Sequence, residues 1–127
     1  MKNNELTFKI FNEFDKNLFD SWNELIVECD FYFYQNYNFL EQFHIINKDK
    51  NNNNKYYFVT IYQNNNLIAI LPLEVRSIYG FRILQWIGSD DFDYCCPIIK
   101  NFKKLVIEKK SFIFLWTQIL KKINKYD

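Results

Sequence analysis

Alanine occurs once in the 127 residues (Ala69), arginine twice (Arg76, Arg82), glycine twice (Gly80, Gly88), proline twice (Pro72, Pro97) and histidine once (His44). Charge of one sign is also missing: 16 Lys+Arg stand against 15 Asp+Glu, for a formal net charge of +1. A balance that close excludes a protein whose binding energy comes mainly from nucleic-acid phosphates. The three cysteines, Cys29, Cys95 and Cys96, are an odd count with no C-x-x-C spacing. They make neither a disulfide framework nor a zinc or haem motif, and read as buried or half-buried structural thiols. No long hydrophobic run is present. The uncharged apolar stretch Ser111 to Leu120 is about half of the roughly 20 residues a bilayer needs. Met1-Lys2-Asn3-Asn4-Glu5 is followed by no apolar core of a secretory signal, so the expected location is the cytoplasm.

What is abundant is Asn, Lys, Ile, Phe and Tyr, all with A/T-rich codons, so much of the bias reports base composition rather than function. Hydrophobic residues at 49% and aromatics at 20% exclude a disordered chain. The length fits one domain, or one half of a two-domain protein, with enough chain to bury a core.

Leu6, Phe8 and Ile10 alternate with Thr7 and Lys9, the two-residue period of a strand over Leu6 to Phe11. Leu18, Trp22, Leu25, Ile26 and Cys29 fall on one face of a helix over about Lys16 to Cys29, with Asn12 or Asp15 as N-cap. A second helix begins at Asn38, with Glu41 in the manner of a capping box and Leu40, Phe43 and Ile45 or Ile46 as the buried stripe. Asn47 to Lys55 reads as a loop. Tyr56 to Gln63 is apolar on both faces and reads as an interior strand. Asn64-Asn65-Asn66 reads as a hairpin turn, since Asn tolerates left-handed backbone. Leu67 to Val75 follows, and Pro72 places that strand at an edge or at a bulge. After a turn over Ser77 to Gly80, a third strand runs from Phe81 to Ile87. Ser89 to Pro97 is an acidic loop. A final helix over about Asn101 to Lys125 carries Phe102, Leu105, Val106, Phe112, Ile113, Trp116, Ile119, Leu120 and Ile123. The expected class is therefore mixed α/β (α+β), in the order β-α-α-β-β-β-α, with a largely antiparallel sheet flanked by helices.

That order, together with Trp22-x-x-Leu25, Phe33 to Leu40, Leu67-Ile68-Ala69-Ile70-Leu71-Pro72-Leu73, Leu84-Gln85-Trp86-Ile87-Gly88 and Asp93-Tyr94-x-x-Pro97, resembles the N-terminal half of GNAT-superfamily acetyltransferases. The similarity is to the type linked to cellulose and other polysaccharide biosynthesis, relatives of the Fem peptidyltransferases built from two GNAT-like halves. It covers about Leu18 to Trp116. The resemblance implies a single GNAT-like domain over residues 1–127, truncated with respect to a C-terminal half that holds acetyl-CoA or another acyl-CoA. It further implies acyl transfer to an amine or hydroxyl of a small-molecule acceptor in polysaccharide or cell-envelope synthesis. The partner is then that missing half, or a second copy of the chain. A non-catalytic GNAT-like remnant acting as an interaction module is the alternative.

A GNAT domain binds the CoA pyrophosphate with backbone N–H groups of a Gly-rich loop ahead of the helix that follows its fourth strand. The equivalent stretch, Gly88 to Asn101, has one glycine, no Arg, and Asp90, Asp91 and Asp93. Each carboxylate opposes a nearby pyrophosphate by on the order of 1 kcal/mol, so this half is expected to bind no cofactor. The acidic residues lack the flanking Gly turn and the Asn/Glu set of an EF-hand, so no metal is expected either. The candidate acceptor-binding residues are Asp90, Asp93, Tyr94 and Arg76. A carboxylate beside a tyrosine at a strand end suits an amine or a general base, and it equally suits the free N–H groups of a following helix. Arg76 and Arg82 flank one turn and are candidates to grip an anion as a pair. His44 has no serine or cysteine partner at a recognised spacing.

Overall fold

Two left-handed turns organise the sheet. Asn64 and Asn65 have φ of 51° and 70°, and Tyr79 and Gly80 have φ of 49° and 84°; positive φ at both central residues is what a two-residue hairpin requires. They join β2 (Lys55–Gln63), β3 (Asn66–Ile78) and β4 (Phe81–Trp86) into an antiparallel meander. The other edge of the meander takes β1 (Leu6–Phe11), also antiparallel, giving the order β1-β2-β3-β4. The computed structural model describes residues 5–27, 37–46, 55–87, 98–99 and 109–123. The architecture is mixed α/β, an antiparallel sheet with helices against it.

The sheet is covered on both faces. Helix α1 (Lys16–Ile26) starts where Asp15 Oδ1 accepts from the Leu18 N–H at 2.8 Å, so Asp15 is the cap. Asn12 instead ties the chain to the sheet, its Nδ2 donating to the Tyr56 carbonyl at 3.0 Å. Leu18, Trp22 and Leu25 of α1, with Tyr37 and Leu40 of α2 (Tyr37–Ile46), bury against Phe58 and Ile70. On the opposite face Leu115, Ile119 and Ile123 of α3 (Lys109–Ile123) bury against Val59, Ile61, Leu71 and Leu73. Strand β2 is thus apolar on both sides because it is an interior strand between helical layers. Among the described residues no helix is long and apolar enough to cross a membrane, and no buried side-chain nitrogen or oxygen lacks a hydrogen bond.

Five expectations need correction. Pro72 does not sit on an edge strand: β3 pairs with β2 on one side and with β4 and a two-residue strand, β5 (Ile98–Ile99), on the other. The Pro72 carbonyl accepts from the Ile87 N–H at 3.0 Å, and N and C=O of one strand residue point the same way. Its donor-less nitrogen therefore faces the stretch where β4 pairing has ended and β5 pairing, at Ala69 and Ile70, has not begun. The bulge lies four residues earlier. Ile61 is opposite Ala69 while Tyr62 is opposite Leu67, leaving Ile68 as the extra residue.

Strand β5 itself is absent from the expected order, because two residues carry no period. In α2, Tyr37 and Leu40 are buried while Ile45 and Ile46 are 55% and 78% exposed; the helix begins one residue before Asn38, and its inward face follows Tyr37. In α3 the buried stripe is Leu115, Ile119 and Ile123, with Phe112 and Ile113 largely outside it. A helix with apolar residues at consecutive positions offers several stripes, and only packing selects one. Helix α1 stops short of Cys29, at Ile26 with Val27 as its C-cap. The expected extensions of α3 to Asn101 and Lys125, and the loops 47–54 and 88–97, lie outside the described residues.

Candidate functional site

Where the end of β1 meets the start of β2 beneath α2, a cleft of about 580 Å3 opens. The β1–α1 connection contributes Asn12, Glu13 and Phe14, α2 contributes Glu41, His44 and Ile45, and β2 contributes Lys55, Tyr56 and Tyr57. Helical spacing puts Glu41 and His44 on one face of α2, three residues apart. The Asn12 bond to the Tyr56 carbonyl fixes the cleft wall.

His44 and Tyr56 form the polar centre. His44 Nδ1 and the Tyr56 hydroxyl are 2.9 Å apart, and the two rings meet edge to face with centroids at 4.8 Å. Phe14 packs against both, at 5.6 Å from the imidazole and 5.9 Å from the Tyr56 ring. Burial, and secondarily the Glu74 carboxylate, push the Tyr56 hydroxyl up to about 12. Its proton therefore stays on through the physiological range, and the hydroxyl can donate to a neutral imidazole or accept from a protonated one. Glu74 lies directly across the β2–β3 pair from Tyr56. It is 5% exposed and accepts from Gln85 Nε2 at 2.9 Å.

Tyr37 supports the cleft from behind. Its hydroxyl donates to the Asp15 carbonyl at 3.2 Å, and its ring meets Phe14 edge to face at 5.3 Å. Burial, then Glu41 and Asp15, raise it to about 12 as well. Among the described residues no group of three or more His, Cys, Asp or Glu is arranged to hold a metal ion.

Of the residues singled out in the sequence, Asp90, Asp93 and Tyr94 lie outside the described residues. Arg76 sits two positions beyond Glu74 on β3, so strand alternation places it on the same face as Glu74, the face covered by α1 and α2. The pairing of Arg76 with Arg82 does not hold. Arg76 is opposite Ile83 and Arg82 is opposite Ser77, which puts the two guanidinium-bearing side chains on opposite faces of the sheet. Sequence reasoning assigns no role to Tyr56 or Glu74 beyond strand membership. The one available signal is Glu74 itself, a charged residue at a position whose alternation matches the inward Ile70. His44 and Tyr56 are 12 positions apart on different elements, and no local spacing rule pairs them.

No protein-family model matches the chain, and no curated protein or solved structure matches it.

Proposed function

We propose that the chain is the acceptor-shaping half of a GNAT-type acyltransferase, moving an acyl group from a CoA-type donor to an amine or hydroxyl. What supports this reading is the cleft: a phenol–imidazole pair held at 2.9 Å, with Glu13 and Glu41 at its rim, on the helical-pair side of an antiparallel meander. Two carboxylates at the mouth attract an amine cation, and the imidazole is the side chain there suited to taking its proton near neutral pH. The Tyr56 hydroxyl orients that imidazole. Gly88 to Asn101, with three carboxylates and a single glycine, does not suit a pyrophosphate. The donor is held by a second half, and polysaccharide or cell-envelope precursors are the acceptor class that the resemblance implies.

The lone histidine makes the test direct, because its ring gives one unambiguous set of NMR resonances. Titrating amino sugars and polyamines at millimolar concentration should shift the His44 ring signals saturably, and Glu41→Gln should weaken that response. If no amine or polyol moves them, the cleft is not an acceptor site and the reading fails.

A second reading, an interaction module without catalysis, is favoured by the β3–β4 hairpin, where Tyr79 and Phe81 are 98% and 65% exposed. Concentration-dependent sedimentation that Phe81→Ser abolishes would favour it.

A further inference from the structure

We infer that the space between α3 and the sheet is a binding site for a linear hydrocarbon chain of about ten carbons. A cavity of about 250 Å3 lies there, and only apolar atoms face it. Its walls include Ile61 of β2, Ala69 and Leu71 of β3, Trp86 of β4, and Phe112 and Trp116 of α3.

Two features of the chain create this volume. The bulge at Ile68 turns two consecutive side chains, Ile68 and Ala69, toward α3. Ala69, the single alanine, then ends at Cβ among neighbours that are Ile, Leu and Trp. A short side chain surrounded by long ones leaves space that close packing would otherwise fill. Such a space is unsuited to water, which needs two to four polar partners, and suited to an apolar guest. A dry cavity of about 150 Å3 takes the six carbons of benzene, so about 250 Å3 takes about ten. Phe112 and Ile99, which line it, are each 43% exposed. The cavity is on the opposite face of the sheet from the His44–Tyr56 cleft, and the inference stands independently of acyl transfer.

The test is calorimetric titration of the full chain with straight-chain alcohols from hexanol to tetradecanol. Affinity should rise about fourfold per methylene until about ten carbons and then level off. Ala69→Leu, which fills the cavity from its floor, should weaken 1-decanol binding at least about tenfold, the loss of one to two buried methylenes plus a clash. Should that variant not fold, the break in the wild-type chain-length series decides alone. Absence of saturable 1-decanol binding overturns the inference. So does an affinity that climbs through tetradecanol without a break, or a folded Ala69→Leu that binds like wild type.

Discussion

Tyr56→Phe changes the protein in opposite directions at neutral and at alkaline pH, and the crossover can be placed. Near neutrality the substitution removes the 2.9 Å contact with His44 Nδ1 and costs about 1 kcal/mol, the usual net worth of one hydrogen bond. The native tyrosine stays protonated to about 12, while in the unfolded chain it ionises at 10.0. Between those values the unfolded state binds fewer protons than the native state, so wild-type stability falls as pH rises. One unit above the unfolded value the loss is about 1.4 kcal/mol, already larger than the hydrogen bond. Phenylalanine has no proton to lose and escapes this penalty. Wild type should therefore be the more stable protein at about pH 8 and the less stable at about pH 11, with curves crossing between about pH 10 and 11. Urea unfolding of both proteins at matched pH measures this, and comparing them cancels the lysine titrations common to both. A stability difference that stays constant from about pH 8 to 11 would refute the burial of this phenol.

Ile119→Ala, at a fully buried position facing the sheet, should cost about 2–5 kcal/mol in urea unfolding. Asp15→Ala removes the bond to the Leu18 N–H and should cost about 1 kcal/mol, with helical circular dichroism reduced. Asn65→Gly, at φ 70°, should hold or raise the melting temperature, whereas Asn65→Val should lower it, because a β-branched residue resists left-handed backbone. Calorimetric titration with acetyl-CoA should show no saturable binding to this chain if Asp90, Asp91 and Asp93 occupy the pyrophosphate loop that the resemblance implies; a micromolar site would overturn that charge argument.

The strands are legible where neighbours in sequence dictate them. Leu6 to Phe11 alternates because one edge strand meets α3 with every second residue, and Tyr56 to Ile61 does not alternate because both faces are covered. The Asn64-Asn65 and Tyr79-Gly80 turns follow from backbone chemistry at two residues each. Pro72 misleads because a missing N–H forbids a ladder bond, not an interior strand; the constraint is met by a gap between β4 and β5 that no local pattern encodes. The stripe of α3 is ambiguous for a similar reason. Phe112, Ile113, Phe114, Leu115 and Trp116 are all apolar or aromatic, so only the partner surface chooses Leu115. The candidate site is the least legible part. It depends on bringing Glu41 and His44 from a helix onto Tyr56 of a strand, and on a carboxylate, Glu74, that tertiary packing buries.

Asn12 and Tyr56 are 44 positions apart, whereas β2, β3 and β4 are joined by turns of two residues. Loop closure makes the meander the cheap part of the sheet to assemble and β1 the costly one. The first strand should then dock late in folding and be first to fray, with its amide protons exchanging ahead of those in β2 and β3. Because Asn12, Glu13 and Phe14 leave directly from that strand, one wall of the cleft goes wherever β1 goes. A molecule seated against His44 would hold the N-terminal strand in place, and its arrival would be felt as slowed hydrogen exchange at Leu6 to Phe11.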